Sequence, residues 1–420
     1  MENVCSYSRT RRKLSGRVVA GAVTALAIVA SGMLPAAADP PTPPGAVTFV
    51  ADGDPWYDDP PNLAALNNGD VIRTRVVQSR WAVIPVPIQT TQILFRSTDS
   101  HGNPIATATS VLISGVPAAG ARPVISYQAI IDGLAPQCNP SQELQLGTLN
   151  EMYIMSPLLA AGMALVVTDF NGKYSAVDAP SEGRMVLDGI RATQRAGLGL
   201  ENSPVALYGY SGGGNASLSA AEQHRDYAPE LAIRGVAAGG VPGDKVALAP
   251  YAASPAGGLY SGWLWVGLLG LAREYPQVWA GLDRHLTPEG KQTAALLSGT
   301  CTYSSNDIVL RHPIGASLID PGAAFADPDI RDPLNEASFG RPGNTPDVPL
   351  FLWHAMSDQV VPADIGMDPV VRNYCATGGN VRYYRVAALE HFTLTALGTV
   401  GAVPWLIGLV NGADPGPTNC

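Results

Sequence analysis

Charge is scarce in this chain: Asp, Glu, Lys and Arg together make up 15% of its 420 residues. Clusters of one sign are scarcer still. Beyond the first 38 residues no basic run occurs, so the usual electrostatic source of phosphate binding is missing and nucleic acid is excluded as a partner. Histidine is sparse, with six residues and no pair at the H-x-x-x-H spacing that would set two imidazoles on one helix face. The five cysteines are widely separated rather than clustered. Both patterns argue against a catalytic metal, and no cofactor is expected. No internal repeat is evident, which excludes a solenoid.

The first 38 residues read as an export leader. Arg9, Arg11, Arg12, Lys13 and Arg17 form a basic start, Val18 to Leu34 is an apolar run of signal-peptide length, and Ala36-Ala37-Ala38 offers small residues for cleavage before Asp39. Pro35 and the cleavage site follow the run directly and no stop-transfer flank appears, which favours removal over a transmembrane anchor. The pair Arg11-Arg12 is compatible with a twin-arginine signal. Without the leader the chain holds 21 basic and 34 acidic residues, a formal charge of −13, which repels anionic membranes and suits solubility outside the cell. Cys5 leaves with the leader. Cys138, Cys301, Cys375 and Cys420 remain, an even count that suggests two disulfides in an oxidising compartment, with the pairing open.

The remaining length and a 46% hydrophobic composition support one large domain with an insertion, or two domains. Residues 39–45 (DPPTPPG) form a proline-rich lead-in. After it, apolar strand-like runs alternate with helical stretches: Pro123 to Tyr127, Met163 to Thr168, Val205 to Tyr208, Ile233 to Ala238, Pro349 to Trp353 and Val381 to Val386. Such alternation predicts a mainly parallel sheet flanked by helices on both faces.

One of these strands breaks abruptly into Gly209-Tyr210-Ser211-Gly212-Gly213, a G-x-S-x-G pattern followed by an Ala-rich helix start. Strand, sharp turn and helix are the context in which such a serine becomes an exposed nucleophile, and glycines two residues to either side relieve crowding at a strained backbone. A serine hydroxyl needs a histidine base, and the base an orienting carboxylate. Asp358 lies just past the strand Pro349 to Trp353, where such an acid belongs, with Asp364 and Asp368 as weaker rivals. His391 follows the next strand and is the sole histidine downstream of Asp358. His354, at the strand end, reads as a loop-orienting residue; His101, His224, His285 and His312 fall in surface or cap segments. The amide of Gly212 is one oxyanion donor by the geometry of the elbow. The other is expected in the loop after the strand ending at Tyr127, residues 126–133, with no one residue singled out.

Three segments carry a resemblance: Ser126-Tyr-Gln-Ala-Ile-Ile-Asp132-Gly with Cys138-Asn-Pro-Ser141 beyond it, the Gly209–Gly213 elbow, and Asp358-Gln-Val-Val-Pro362. In this order they resemble the secretory lipase family of fungi and actinobacteria, over nearly the whole mature chain. The resemblance implies an α/β-hydrolase core, from residue 39 to 240 and from 344 to 420, interrupted by a helical cap over residues 241–343. It implies that Asp132 joins Gly212 in the oxyanion hole, and that Cys138 pairs with Cys301 and Cys375 with Cys420. The expected protein is a secreted, monomeric serine hydrolase, most readily a triacylglycerol lipase working with Ser211, Asp358 and His391 on a lipid or ester substrate, at times at a lipid–water interface. A short-chain esterase or acyltransferase, a serine peptidase and a non-catalytic binding protein on the same shell are the alternatives. Within the cap, Trp263 to Leu271 is apolar nearly all round and is expected to be buried or to wall an apolar channel.

Overall fold

The fold was derived from a computed structural model that describes residues 54–82, 84–118, 120–131, 133–172, 175–301 and 309–420. The leader expected over residues 1–38 and Asp132 lie outside the described residues.

A nine-stranded sheet runs through the molecule in the order β1-β2-β3-β5-β4-β6-β7-β8-β9. Its strands are β1 (Val71–Trp81), β2 (Ile84–Thr98), β3 (Pro104–Ile113), β4 (Val124–Gln128), β5 (Ala164–Thr168), β6 (Val205–Tyr210), β7 (Ile233–Gly239), β8 (Leu350–Ala355) and β9 (Val381–Val386). The first three and β5 pair antiparallel; from β5 through β4 to β9 every pairing is parallel. Strands β4, β5, β6 and β8 are buried along their whole length. That burial is why they read as continuous apolar runs: a parallel strand covered on both faces by its crossover helices has no solvent side. All six runs expected as strands are strands, within two residues at either end.

The antiparallel strands β1 to β3 were not among them. Much of β1 faces solvent on one side and alternates apolar with polar or charged residues, a weaker signal than a run. Its inner face and that of β2 and β3 meet Trp56, Tyr57 and Leu63 from the segment that precedes them.

Strand order reverses around β4, whose neighbours are β5 on one side and β6 on the other. At such a switch the loops leaving the carboxyl ends diverge and open a crevice. The loops after β4, β6, β8 and β9 all emerge at this end.

Between β7 and β8 the chain leaves the sheet for a series of helices, among them Lys245–Ala253, Trp263–Leu271, Pro276–His285, Pro288–Leu297 and Pro328–Glu336. Proline at the first turn and a side-chain cap start several of them: Thr287 accepts from the amide of Gly290 and Asp327 from that of Asp329. These helices share a core of their own, built on Trp265, Leu268, Leu269, Val278, Leu282 and Ile330, which also takes in Leu134 and Val177 from loops of the sheet. Two disulfides are present. Cys138–Cys301 ties the loop after β4 to this helical layer, and Cys375–Cys420 ties the carboxyl terminus to the helix Asp368–Ala376. Among the described residues no single helix is long and apolar enough to cross a membrane.

Candidate active site

Ser211 stands between β6 and the helix Gly212–Tyr227 with φ 53° and ψ −118°, a conformation that side chains other than glycine rarely adopt. The turn is held by its amide, which donates to the carbonyl of Gly239 at 2.8 Å. The flanking glycines are required by close approach. A Cβ on Gly209 would stand 2.0 Å from the carbonyl oxygen of Gly213, and one on Gly213 would stand 2.1 Å from that of Gln128. Because the helix begins at Gly212, the amide of that residue is one of the orphan donors at its positive end.

His391 begins the helix His391–Leu397, five residues past β9. Its ring is buried, with Nε2 2.9 Å from Ser211 Oγ and Nδ1 2.7 Å from Asp358 Oδ2. A carboxylate only accepts, so Nδ1 carries the hydrogen and Nε2 is left to accept from the serine hydroxyl. The backbone around the ring is held from three sides: Tyr210 Oη donates to the carbonyl of His391 at 2.6 Å, the amide of His391 donates to Gln359, and Glu390 caps the helix by accepting from the amides of Phe392 and Thr393.

Asp358 lies in the loop after β8. Its Oδ1 accepts from the amides of Val360 at 3.0 Å and Val361 at 2.8 Å. His354 Nε2 lies 2.8 Å from the carbonyl of Val361 and 3.2 Å from Asp358 Oδ2; both are acceptors, so this nitrogen carries a hydrogen. Burial pushes the Asp358 carboxyl up, but the facing charge of His391 and the hydrogen bonds from His354 and His391 outweigh it, and the group is held well below the usual carboxylate range. The rival Asp368 is engaged elsewhere, with Tyr383 Oη at 2.8 Å and Arg385 at 2.7 Å.

A cavity of about 290 Å³ opens beside Ser211 and His391. One wall is apolar: Trp263, Leu264 and Val266 of the helix Trp263–Leu271, with Val360, Val361 and Phe392 from the loops around Asp358 and His391. The same helix buries Trp265, Leu268 and Leu269 on its other side, so it fills the helical core and borders the cavity at once.

Glu151, Asp178 and Lys245 add polar groups to the lining, and no motif in the sequence marks them. Glu151 accepts from the amide of Ile130 and from Tyr127 Oη, both at 2.7 Å. It thereby holds the loop after β4 in which the second oxyanion donor is expected. Burial pushes its carboxyl up to about 7, against the pull of those two bonds. Lys245 is buried and donates to Asn215 Oδ1 and the carbonyl of Ala337, each at 2.8 Å, and to that of Pro242 at 3.1 Å. Burial pushes its ammonium pKa down against the attraction of Asp178 and Glu182. Glu182 accepts from the amide of Asp178 and from Asn215 Nδ2, both at 2.7 Å. Only the tertiary structure places these groups together: Glu151 starts a helix before β5, Asp178 and Glu182 follow β5, and Lys245 follows β7.

Residues 121–416 match the family model described as secretory lipase. A Mycobacterium tuberculosis protein named "Probable inactive lipase" is 33% identical over 85% of this chain and 82% of its own length. Lipase A of Arthroderma benhamiae is 31% identical over 90% of this chain and 82% of its own. Among solved structures, Candida antarctica lipase A in its closed state superposes with a TM-score of 0.78 at 27% identity, covering 87% of this chain and 88% of that one.

Proposed function

The chain belongs to the secretory lipase family, and on that premise we propose that it is an exported carboxylic-ester hydrolase that cleaves acylglycerols with Ser211, His391 and Asp358. One observation carries the reading: a strained serine hydroxyl lies 2.9 Å from an imidazole whose other nitrogen lies 2.7 Å from a buried carboxylate. In the first half-reaction Ser211 Oγ attacks the ester carbonyl carbon while His391 Nε2 takes its proton. The amide of Gly212, at the positive end of its helix, receives the oxyanion, and the family resemblance makes Asp132 its partner. Such a donor is worth about 3 kcal/mol of barrier. Collapse expels the alcohol, which leaves with the proton from Nε2. Water then gives a proton to His391, attacks the acyl-enzyme and releases the fatty acid, and Ser211 recovers its hydrogen. Asp358 holds the imidazole in the tautomer that each step needs.

The helices between β7 and β8 act in this reading as the cap that shapes the acyl site, and the leader is cut near Ala38. The name of the Mycobacterium tuberculosis relative suggests the opposite reading, a hydrolase shell without chemistry. The continuous hydrogen-bonded line from Ser211 to Asp358 speaks against it for this chain. A short-chain esterase is the second reading, favoured by Glu151, Asp178 and Lys245 in the cavity wall.

The test is labelling with a fluorophosphonate together with turnover of emulsified triacylglycerol, a soluble short-chain ester and a peptide amide. Wild type reacts at Ser211 and cleaves the esters, while Ser211→Ala takes no label and loses about 10⁴-fold or more in kcat. Ester cleavage that survives Ser211→Ala overturns the assignment. Cleavage of the short-chain ester alone selects the second reading.

A further inference from the structure

The polar side chains facing the cavity differ in one respect. Both oxygens of Glu151 are engaged by Tyr127 and Ile130, and Lys245 directs its hydrogens to Asn215, Pro242 and Ala337. Asp178 borders the same cavity as Ser211, yet its carboxyl accepts no hydrogen bond from any described residue; only its backbone amide is engaged, by Glu182.

Its placement is constrained from both sides. Asp178 has φ 60°, a left-handed conformation in which aspartate is tolerated but not common. The helix Trp263–Leu271 lies directly against it: a Cβ on Gly267 would stand 2.6 Å from Asp178 Oδ2, and one on Gly270 would stand 2.6 Å from the amide nitrogen of Val177. Glycine at these two positions lets the helix close against Asp178 while that residue still lines the cavity. Glu182 and Lys245 are its charged neighbours, so two carboxyls act on one ammonium. Burial pushes both carboxyls up while Lys245 pulls them down, and Glu182 is raised further than Asp178. A hydroxyl is the partner such a group suits, since it can donate to the carboxylate and also accept should the proton reside on Asp178.

Building on the ester-hydrolase reading, we propose that Asp178 is a specificity-determining residue that takes the free hydroxyl of a hydroxylated ester and favours such esters over fully apolar ones of the same size. An apolar chain seated there strips water from the carboxyl and returns nothing, whereas a hydroxyl replaces the lost bond. A difference of this kind amounts to about ten- to a hundredfold in kcat/KM. The hydroxyl has two possible sources, the alcohol part of the ester or its acyl chain.

Two matched pairs separate them: monobutyroylglycerol against propyl butyrate, and ethyl ω-hydroxyhexanoate against ethyl hexanoate. The full mature protein is assayed as wild type, Asp178→Gly and Asp178→Asn. Both substitutions suit a positive φ; the first removes the carboxyl and the second keeps a hydrogen-bonding group. In wild type the hydroxylated member of at least one pair is expected to lead by about tenfold or more. Asp178→Gly brings the ratio toward one, and Asp178→Asn keeps it within a few-fold. The pair that responds identifies the part of the ester lying against Asp178. A wild type that cleaves all four esters without either preference overturns the proposal, as does a preference that persists in Asp178→Gly. A wild type that cleaves none of them and leaves fluorophosphonate unreacted fails at the hydrolase reading instead.

Discussion

Asp358 gathers four hydrogen-bond donors on one carboxylate: the amides of Val360 and Val361 on Oδ1, and the rings of His354 and His391 on Oδ2. Such a set fixes the orientation of the group and keeps it ionised, because every partner favours the charged form. It also makes the position intolerant of an amide. In Asp358→Asn the two backbone amides hold the oxygen, so the new NH₂ faces two imidazole hydrogens. His391 can relieve the clash only by moving its hydrogen to Nε2, where it can no longer accept from Ser211. The expected outcome is a fall in kcat of about 10³- to 10⁴-fold with the fold retained, read from single-turnover kinetics beside a thermal melt. A loss below about tenfold would mean that Asp358 does not set the tautomer. His354 read from the sequence as a loop-orienting residue at the strand end, and it holds the carbonyl of Val361; its bond to the same oxygen as His391 depends on how the loop 356–361 folds back.

The element that carries most is the turn from β6 into the helix Gly212–Tyr227. It brings the serine, the helix's positive end and the loop after β4 into one place, and it does so by letting backbones approach more closely than any side chain allows. Gly213 is the tightest of these contacts with a separate element, since its absent Cβ would meet the carbonyl of Gln128. Gly213→Ala is therefore expected to cost about 2–3 kcal/mol in urea unfolding and to abolish fluorophosphonate labelling, because the helix must retreat from β4 to make room. Unchanged stability would show that the approach is slack. The helix Trp263–Leu271 makes the complementary point. Its uniform apolarity gave no face to read, and both expected outcomes hold, with Trp265 in the helical core and Trp263 at the cavity.

Among the described residues, the acid groups Glu143, Glu151 and Asp169 are buried with no cation paired to them. Glu143 is raised to about 8 by burial, with the charges of Glu151 and Asp169 adding to it, and Glu151 and Asp169 are each raised to about 7 by burial. For each group the folded state binds a proton that the unfolded chain has already released between its ordinary value and the raised one. Stability therefore declines as pH rises through that window, by at most about 1.4 kcal/mol per pH unit for each proton. The urea unfolding free energy is expected to be larger at pH 5 than at pH 8, and Glu143→Gln to flatten the slope. A free energy that rises over this range would show that these carboxyls are ionised in the folded protein.

The sequence alone determined the features that rest on local chemistry and chain order: the elbow at Ser211, an acid and a histidine after the following strands, and the buried parallel strands whose apolar runs need no partner to be recognised. It also indicated the likeness to the secretory lipases that the comparisons bear out. Strand β1 and the start of β2 escaped it because much of their surface meets water and dilutes the pattern, and β3, though buried along most of its length, has its apolar run broken by Thr107, Thr109 and Ser110. The polar groups at the cavity escaped it for a different reason. Glu151, Asp178, Glu182 and Lys245 come from three separate stretches of chain, and neither spacing nor composition encodes their meeting. Only the tertiary structure decided that a carboxyl with no hydrogen-bond donor among the described residues would border the space beside Ser211, because burial and hydrogen bonding are properties of neighbours in space rather than neighbours in sequence.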